Sequence, residues 1–388
     1  MNRLLIDLDA LRHNTLVVSD WVTQHGGDLT VVTKALCGHP EILRALDQFG
    51  VDSMGDSRIG NLRSIRENAP SAETWYLRPP HASALEKLLP LCDVSLQSEL
   101  ATIQGIDAAC RRTGRTHRVV LMMELGELRE GVLPGKLLEM TESILAMPHV
   151  KLAGLGANLG CLNGAIPMSE ELTQLTLYHE LLELKYDIKI PYVSAGTSAG
   201  LGLLRDGSFP KAINHFRVGE AILLGTDPVT GEPFDGLRSD GVTLEAEVVE
   251  LKEKRLVPSI ETAKTPFESV EEEEEREPGE RGYRAIVTLG HVDTDVNGLT
   301  PLDPDYTIAG ASSDVTVVNL GPDRDGVSLG ETLAFRPDYS AFVRLMNNPY
   351  TTKKLVNHPA AYEPSRPIVV TPGKPLVKGA QEVGARSA

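Results

Sequence analysis

The chain has 388 residues, of which 41% are hydrophobic and 24% are charged, and its formal net charge is −16. Such a composition is typical of a soluble globular protein that is long enough for two domains. The acidic balance argues against nucleic acid or an anionic membrane surface as a partner, because both carry negative charge.

The N-terminal segment and the cysteines bear on the cellular compartment of the protein. The stretch MNRLLIDLDALRHN places acidic residues inside its first apolar run, unlike a signal peptide, and no apolar run approaches the roughly 20 residues of a membrane span. The four cysteines are scattered without a CxxC pair, at Cys37, Cys92, Cys110 and Cys161. This pattern predicts free thiols, no metal site and a cytoplasmic location.

Short apolar strands alternate with amphipathic helical segments from Ile6 to about Leu224. The series begins with segments such as TVVTKAL and VDSMGD, ends with IPYVSAGTS and HFRVGEAILLG, and comprises eight strand-like units. The count and spacing predict an α/β fold, a (β/α)8 barrel of the TIM type, over residues 8–235, although eight units also fit a doubly wound sheet.

The remainder of the chain has a different pattern, in which strands are joined by turns with little helix between them. It predicts a mainly β domain over 236–372 that also includes residues 1–7. The run Glu271–Glu275 lies in an acidic stretch at about 258–282, which we interpret as a solvated insertion between two strands. Residues 373–388 are predicted to form a flexible tail.

The segment TVVTKALCGH ends a β-branched run on Lys34. One interpretation is a strand-end lysine whose ammonium group reaches water. The other is a lysine at the mouth of a barrel that forms a Schiff base with an aldehyde cofactor. In barrel enzymes the chemistry lies at the C-terminal ends of the strands. Polar residues at the other predicted strand ends favour the second interpretation: Asp56, Arg78, Gln97, Ser98, Arg129, Asn158, Ser198 and Arg217.

Several segments together resemble a known family. The chain is similar to the alanine racemase-like enzymes of fold type III, which depend on pyridoxal 5′-phosphate, and especially to their ornithine racemase-like branch. The resemblance is carried by IDLDALRHN, VVTKALCGH, MELGELREG, NHFRVGEAILLG, GASSD and FRPDYSAFVRLMNNPY. It implies that Lys34 binds the cofactor covalently and moves the α-proton of the substrate.

The resemblance also implies residues around the cofactor ring. Arg217 would stand against the pyridine nitrogen, which must then remain unprotonated, since a guanidinium has no acceptor lone pair. Related decarboxylases have a carboxylate there, so Arg217 favours a racemase; a surface arginine after a strand is the structural alternative. Arg129 would contact the phenolic oxygen of the cofactor and the substrate carboxylate, and Glu124 or Glu127 would brace Arg129. Asn158 would lie beside Arg217.

The phosphate of the cofactor would be held at the last barrel units. By resemblance, Thr197 or Ser198, the backbone of Gly219 and Glu220, and the Tyr350 hydroxyl bind it, in keeping with the anion-binding tendency of backbone N–H groups near helix starts. An ordinary strand-to-helix turn at AGTSAG remains the alternative.

A racemase also needs an acid on the face of the substrate opposite the lysine. His291 falls where alanine racemases place a tyrosine from the partner subunit, and an imidazole suits proton exchange; a purely structural histidine is the alternative, and Cys37 is a rival candidate. Ser313 and Asp314 would reach across the interface of a homodimer with shared sites. Asp314 would meet a distal ammonium of the substrate.

These residues predict a racemase for a basic amino acid such as ornithine or lysine, or for alanine. Asp293 and Asp295 are further candidates for the distal ammonium. Two alternatives are a decarboxylase of basic amino acids and a pyridoxal phosphate-binding protein without turnover.

Overall fold

A closed barrel of parallel strands forms the first part of the molecule. The computed structural model describes residues 2–160, 164, 166–256, 279–324 and 326–357. Eight strands close the barrel through pairing of the first with the last, which confirms the predicted fold class and excludes a doubly wound sheet. They are β2 (Asp28–Val32), β3 (Ser53–Asp56), β4 (Glu73–Tyr76), β5 (Val94–Gln97), β6 (His117–Met123), β7 (Val150–Ala157), β8 (Tyr192–Thr197) and β9 (His215–Val218).

Helices cover the outside of the barrel because each strand is followed by an amphipathic segment. They are α1 (Leu8–His25), α2 (Pro40–Gln48), α3 (Ile59–Asn68), α4 (Leu85–Leu88), α5 (Leu100–Thr113), α6 (Leu137–Leu145), α7 (Ser169–Tyr186), α8 (Leu201–Asp206) and α9 (Glu220–Leu224). The first helix shows how local sequence sets the ends. Asp7 accepts a hydrogen bond from the amide of Asp9, and Gly26 ends the helix at φ 90°.

The inside of the barrel is packed with large side chains. Trp75, Val94, Leu96, Val120 and Met122 form one buried cluster within it. Glycine permits this density at one point in particular, since a Cβ on Gly196 would lie 2.0 Å from Cδ1 of Phe216. The barrel is therefore a filled core whose open space lies at its rims.

The second part of the chain is built on an antiparallel sheet. Its strands are β1 (Arg3–Asp7), β10 (Val242–Arg255), β11 (Arg281–Val287), β12 (Leu299–Pro301), β13 (Thr307–Ala311), β14 (Thr316–Gly321), β15 (Thr332–Pro337) and β16 (Thr352–Val356). Six of them follow the order β12-β15-β10-β11-β14-β13. β1 joins the sheet through an antiparallel pairing with β10 and a parallel pairing with β16. On this basis we propose a division of the chain near residue 235, with β1 assigned to the sheet.

One helix of this second part reaches the barrel. α10 (Tyr339–Asn347) begins at Asp338, whose carboxylate accepts a hydrogen bond from the amide of Ala341, and it packs on the short turn Lys34–Leu36 that follows β2. The C-terminal sheet thereby contributes to the rim where the barrel strands end.

Two predicted features lie wholly or largely outside the described residues. The predicted tail at 373–388 is one. The acidic insertion is the other, although its last two residues, Arg281 and Gly282, already belong to β11. In the part of the chain that the structure describes, no helix is both long enough and apolar enough to cross a membrane.

Candidate active site

A cavity of about 470 Å³ opens where the barrel strands end. Lys34 follows β2, Arg129 follows β6, Asn158 follows β7, and Arg217 and Gly219 lie at the end of β9. All of these residues line the cavity, together with Val32, Leu77, Leu96, Leu159, Gly160, Gly164, Thr197, Ser198, Ala199, Glu220, Pro228 and Tyr339. Parallel strands of a barrel end at one rim, and that topology brings residues from distant segments together.

Lys34 is presented to this cavity by a 3-10 turn. The turn Lys34–Leu36 is anchored by Ala35 and Leu36, each 1% exposed, while the side chain of Lys34 is exposed. Thr33, directly before it, is buried and donates from its hydroxyl to Asp56 at 3.2 Å. Among the described residues, Nζ of Lys34 makes no hydrogen bond or ion pair. Its amine is therefore available to a ligand in the cavity.

Arg217 is fixed from two sides. Its guanidinium, on a residue that is 6% exposed, donates from Nη1 to the carbonyl of Ser194 at 2.8 Å. From Nη2 it donates to the carbonyl of Ala157 at 2.9 Å and to Oδ1 of Asn158 at 2.8 Å. A buried, permanently charged group with this many acceptors is held in one orientation.

A buried histidine supports Arg217 from below. The Ser194 hydroxyl accepts from Nη1 of Arg217 and lies 2.7 Å from Nδ1 of His215, whose ring stacks on Trp75 with the centroids 4.1 Å apart. Burial, with a smaller contribution from Arg217, holds the pKa of His215 well below its usual value. A neutral imidazole can accept a hydrogen bond from the Ser194 hydroxyl. The lone pairs of the serine oxygen then face the guanidinium. The sequence analysis did not identify His215.

Arg129 is paired with a carboxylate that the sequence analysis also missed. Its Nε and Nη2 both donate to Glu130, and Nδ2 of Asn158 donates to the same carboxylate at 2.8 Å. Because Asn158 also accepts from Arg217, a continuous chain of hydrogen bonds runs from Arg129 through Glu130 and Asn158 to Arg217. No spacing rule distinguishes Glu130 from the other glutamates of MELGELREG, so only the fold reveals its role.

The two glutamates expected to brace Arg129 shape its loop. Glu124 accepts from the backbone amides of Gly126, Leu128 and Arg129 at 2.6, 3.1 and 2.9 Å. Glu127, which is 2% exposed, accepts from the amide of Gly160 at 2.8 Å. Both therefore hold the backbone on which the Arg129 guanidinium depends.

The end of the cavity near β8 and β9 is suited to an anion. Within the described part of the chain, the buried Oγ1 of Thr197 has no hydrogen-bond partner. The Ser198 hydroxyl accepts hydrogen bonds from the amides of Gly219 and Ala221, each at 3.3 Å. A Cβ on Gly219 would come within 3.1 Å of Val32, so glycine lets this backbone pack closely against β2. A buried hydroxyl that has no partner among the described residues fits an oxygen of the phosphate of the implied cofactor.

The tyrosine at this rim is Tyr339, whereas the sequence analysis named Tyr350. Tyr339, the first residue of α10, lines the cavity, whereas Tyr350 lies outside it and is 85% exposed. The Lys34 amine and the Thr197 hydroxyl, which have no partner among the described residues, the buried Arg217, the partly exposed Arg129 and a cavity of about 470 Å³ together fit pyridoxal 5′-phosphate in size and chemistry.

The remaining predicted residues lie away from this cavity in the same chain. His291 lines a separate cavity of about 200 Å³ beside β13. Asp314 is exposed and accepts from the Ser313 hydroxyl at 2.7 Å. Asp293 accepts from Asn348 at 2.9 Å, and Asp295 accepts from the Ser340 hydroxyl at 2.7 Å.

Cys37 is close to Lys34 in sequence, yet it does not line the cavity. It is half-buried in the left-handed region at φ 51°. Burial, and then the nearby Asp56, raise the pKa of its thiol, which reduces the thiolate that an acid–base role would use.

Comparisons with known proteins agree on one family. The family model of the alanine racemase N-terminal domain matches residues 6–227. The chain is 31% identical over 355 residues to an ornithine racemase from Acetoanaerobium sticklandii, covering 91% of this chain and 99% of that protein. It is 32% identical over 363 residues to a lysine racemase from Thermotoga maritima, covering 94% and 99%.

The same fold occurs in solved structures. The alanine racemase from Bartonella henselae, solved with covalently bound pyridoxal phosphate, superposes with a TM-score of 0.69 at 16% identity, covering 92% of this chain and 99% of that one. At this identity the likeness concerns the fold. The family match over most of the barrel and the two full-length relatives show that the chain belongs to the alanine racemase family.

Proposed function

We propose that the protein is a pyridoxal 5′-phosphate-dependent amino-acid racemase whose substrate is a basic amino acid of the ornithine or lysine type. The observation that carries the proposal is the joint presence of the free Lys34 amine and the buried Arg217 guanidinium in one cavity. Relatives named ornithine racemase and lysine racemase, each aligned over more than nine-tenths of the chain, support the reaction and the substrate class.

The bound cofactor would supply an aldehyde to hold the substrate amine and a ring that withdraws electrons from the substrate α-carbon. Lys34 would hold the cofactor and exchange the α-proton at Nζ. Arg217 would keep the pyridine nitrogen unprotonated, because it offers only donors. That arrangement favours return of the α-proton, whereas a carboxylate at this position would favour a stronger electron sink.

Other cavity residues would bind and orient. Arg129, held by Glu130, would bind the substrate carboxylate. Thr197, Ser198 and Tyr339 would surround the phosphate. The Thr197 hydroxyl, which has no partner among the described residues, gives this part of the proposal its structural support, because a phosphate oxygen would provide the hydrogen bond that this buried group lacks.

We further propose a homodimer in which the C-terminal sheet of one subunit completes the cavity of the other. His291, Ser313 and Asp314 lie outside the cavity of their own chain, and Asp314 is exposed. In the dimer His291 would supply the second proton-transfer group and Asp314 the carboxylate for a distal ammonium. The free thiols of Cys37, Cys92 and Cys110 support a cytoplasmic location.

Chiral chromatography tests the proposed reaction. The protein is incubated with cofactor and with the L or the D enantiomer of ornithine, lysine, alanine or serine. We expect interconversion, fastest for ornithine or lysine. Release of carbon dioxide without interconversion would support a decarboxylase instead, and cofactor binding without turnover would support a binding protein. Either result would contradict the racemase.

A further inference from the structure

Three buried side chains inside the barrel connect Arg217 with the opposite rim. Nη1 of Arg217 donates to the Ser194 hydroxyl, which lies 2.7 Å from Nδ1 of His215. Nε2 of His215 lies 2.9 Å from the Thr30 hydroxyl, and that hydroxyl lies 2.7 Å from the hydroxyl of Ser53. Ser194, His215 and Thr30 are each at most 2% exposed. A continuous series of hydrogen bonds therefore runs from the active-site cavity to Ser53, which lines a second cavity of about 440 Å³.

The arginine fixes the direction of every hydrogen bond in this series. A guanidinium has only donors, so the Ser194 oxygen accepts from Arg217 and the hydroxyl proton must point elsewhere. Among the described residues, the other partner of this hydroxyl is Nδ1 of His215, and a buried O–H left without an acceptor costs free energy. Nδ1 must then carry a lone pair, which places the ring proton on Nε2. Nε2–H donates to Thr30, and the Thr30 hydroxyl donates in turn to Ser53.

Packing holds the His215 ring in the plane that this order requires. The imidazole stacks on Trp75 with the ring planes 15° from parallel, and its centroid lies 5.1 Å from that of Tyr192. Protonation of the ring would turn Nδ1 into a donor toward Ser194, and the serine proton would lose its acceptor. The low pKa of His215, which burial and then Arg217 produce, agrees with a ring that stays neutral.

We propose that His215 is a positioning residue for Arg217: as a neutral imidazole with its proton on Nε2, it holds the Ser194 hydroxyl as an acceptor for Nη1. The inference rests on the proposed function, in which the guanidinium faces the pyridine nitrogen of the cofactor. Without the Nδ1 acceptor, the Ser194 proton would turn toward Nη1 and displace the guanidinium. His215 itself does not line the active-site cavity, so it acts through Ser194.

Nuclear magnetic resonance of the full apo chain, labelled with nitrogen-15 in its histidine rings, tests the assigned tautomer without cofactor. The chain has 10 histidines, and the ring signals that are missing from His215→Asn belong to His215. At neutral pH we expect Nε2 to carry the proton and Nδ1 to have the chemical shift of an unprotonated acceptor. A proton on Nδ1, or on both nitrogens, would overturn the inference.

Racemisation followed by chiral chromatography tests the role of His215. Ser194→Ala and His215→Leu should each lower kcat/KM about tenfold, the effect of one hydrogen bond to a charged group. The double variant should fall no further than Ser194→Ala, because both changes remove one coupled unit. His215→Asn should stay within about threefold of the wild type, since its amide oxygen can accept from Ser194. Losses that multiply to about a hundredfold in the double variant would overturn the inference.

His117→Leu and Ser95→Ala are the matched controls. Nε2 of His117 lies 2.9 Å from the Ser95 hydroxyl, both residues are buried, and neither lines the active-site cavity. We expect these variants to lower the free energy of unfolding in urea and to leave kcat/KM unchanged. An equal loss of kcat/KM in the controls would overturn the inference, because the effect of His215 would then be one of stability.

The two measurements separate this inference from the proposed function. A wild type that racemises amino acids while His215 carries its proton on Nδ1 would overturn the inference alone. A wild type that racemises none would overturn the proposed function and with it the role of His215.

Discussion

The chain of hydrogen bonds from Arg129 to Arg217 makes Glu130 a sensitive position. Its carboxylate accepts both donors of the Arg129 fork and, at 2.8 Å, the amide of Asn158. Glu130→Gln keeps the size of the side chain but replaces one oxygen with an N–H₂ group. That group must then face a donor of Arg129 or of Asn158, so at least one charge-assisted hydrogen bond is lost.

The expected loss of kcat/KM in Glu130→Gln follows from the burial of the pair that Glu130 forms with Arg129. Side chains of Glu130 and Arg129 are 15% and 26% exposed, so the pair is only partly screened. A hydrogen bond to a charged group contributes about 1.5–3 kcal/mol, and the lower end suits a partly exposed pair. We therefore expect Glu130→Gln to lower kcat/KM for ornithine about tenfold, since about 1.4 kcal/mol corresponds to a factor of ten.

The assay is racemisation followed by chiral chromatography, with the free energy of unfolding measured in urea on the same samples. Glu139→Gln is the control, because Glu139 pairs with Lys136 at 2.9 Å where both side chains are more than two-thirds exposed, and such pairs contribute little. A Glu130→Gln enzyme with kcat/KM within twofold of the wild type would refute the idea that this carboxylate orients Arg129.

Three further outcomes are expected. Lys34→Ala should abolish racemisation and retain no cofactor absorbance after desalting. Gly196→Ala should lower the free energy of unfolding by about 1–3 kcal/mol or more, because its Cβ would lie 2.0 Å from Phe216; Gly202→Ala, in α8 with nothing within 4 Å, should raise it by about 0.5–1 kcal/mol. Burial lowers the pKa of His117 to about 4, so the unfolded chain binds more protons between pH 4 and 6.5. The contribution of His117 to stability should therefore fall by up to about 3 kcal/mol as the pH drops through that range, and His117→Asn should remove this contribution in urea titrations.

The tertiary structure adds what the sequence analysis did not resolve where contacts depend on side-chain direction. Three glutamates of MELGELREG have the same chemistry, and the structure turns Glu124 and Glu127 toward backbone amides and Glu130 toward Arg129. The two tyrosines of FRPDYSAFVRLMNNPY differ in the same way. Tyr339 enters the cavity because α10 packs on the Lys34 turn, and Tyr350 remains at the surface.

The sequence by itself predicted eight strand-and-helix units and the rim at which their strands end, and the tertiary structure decided that these strands close into a barrel. Alternating apolar strands and amphipathic helices permit few ways of burial, and parallel strands must end at one rim, so Lys34, Arg129, Asn158 and Arg217 were brought together by connectivity alone. Only the tertiary structure decided the partners of these residues and the placement of Tyr339, because the packing of the C-terminal sheet depends on contacts between residues hundreds of positions apart.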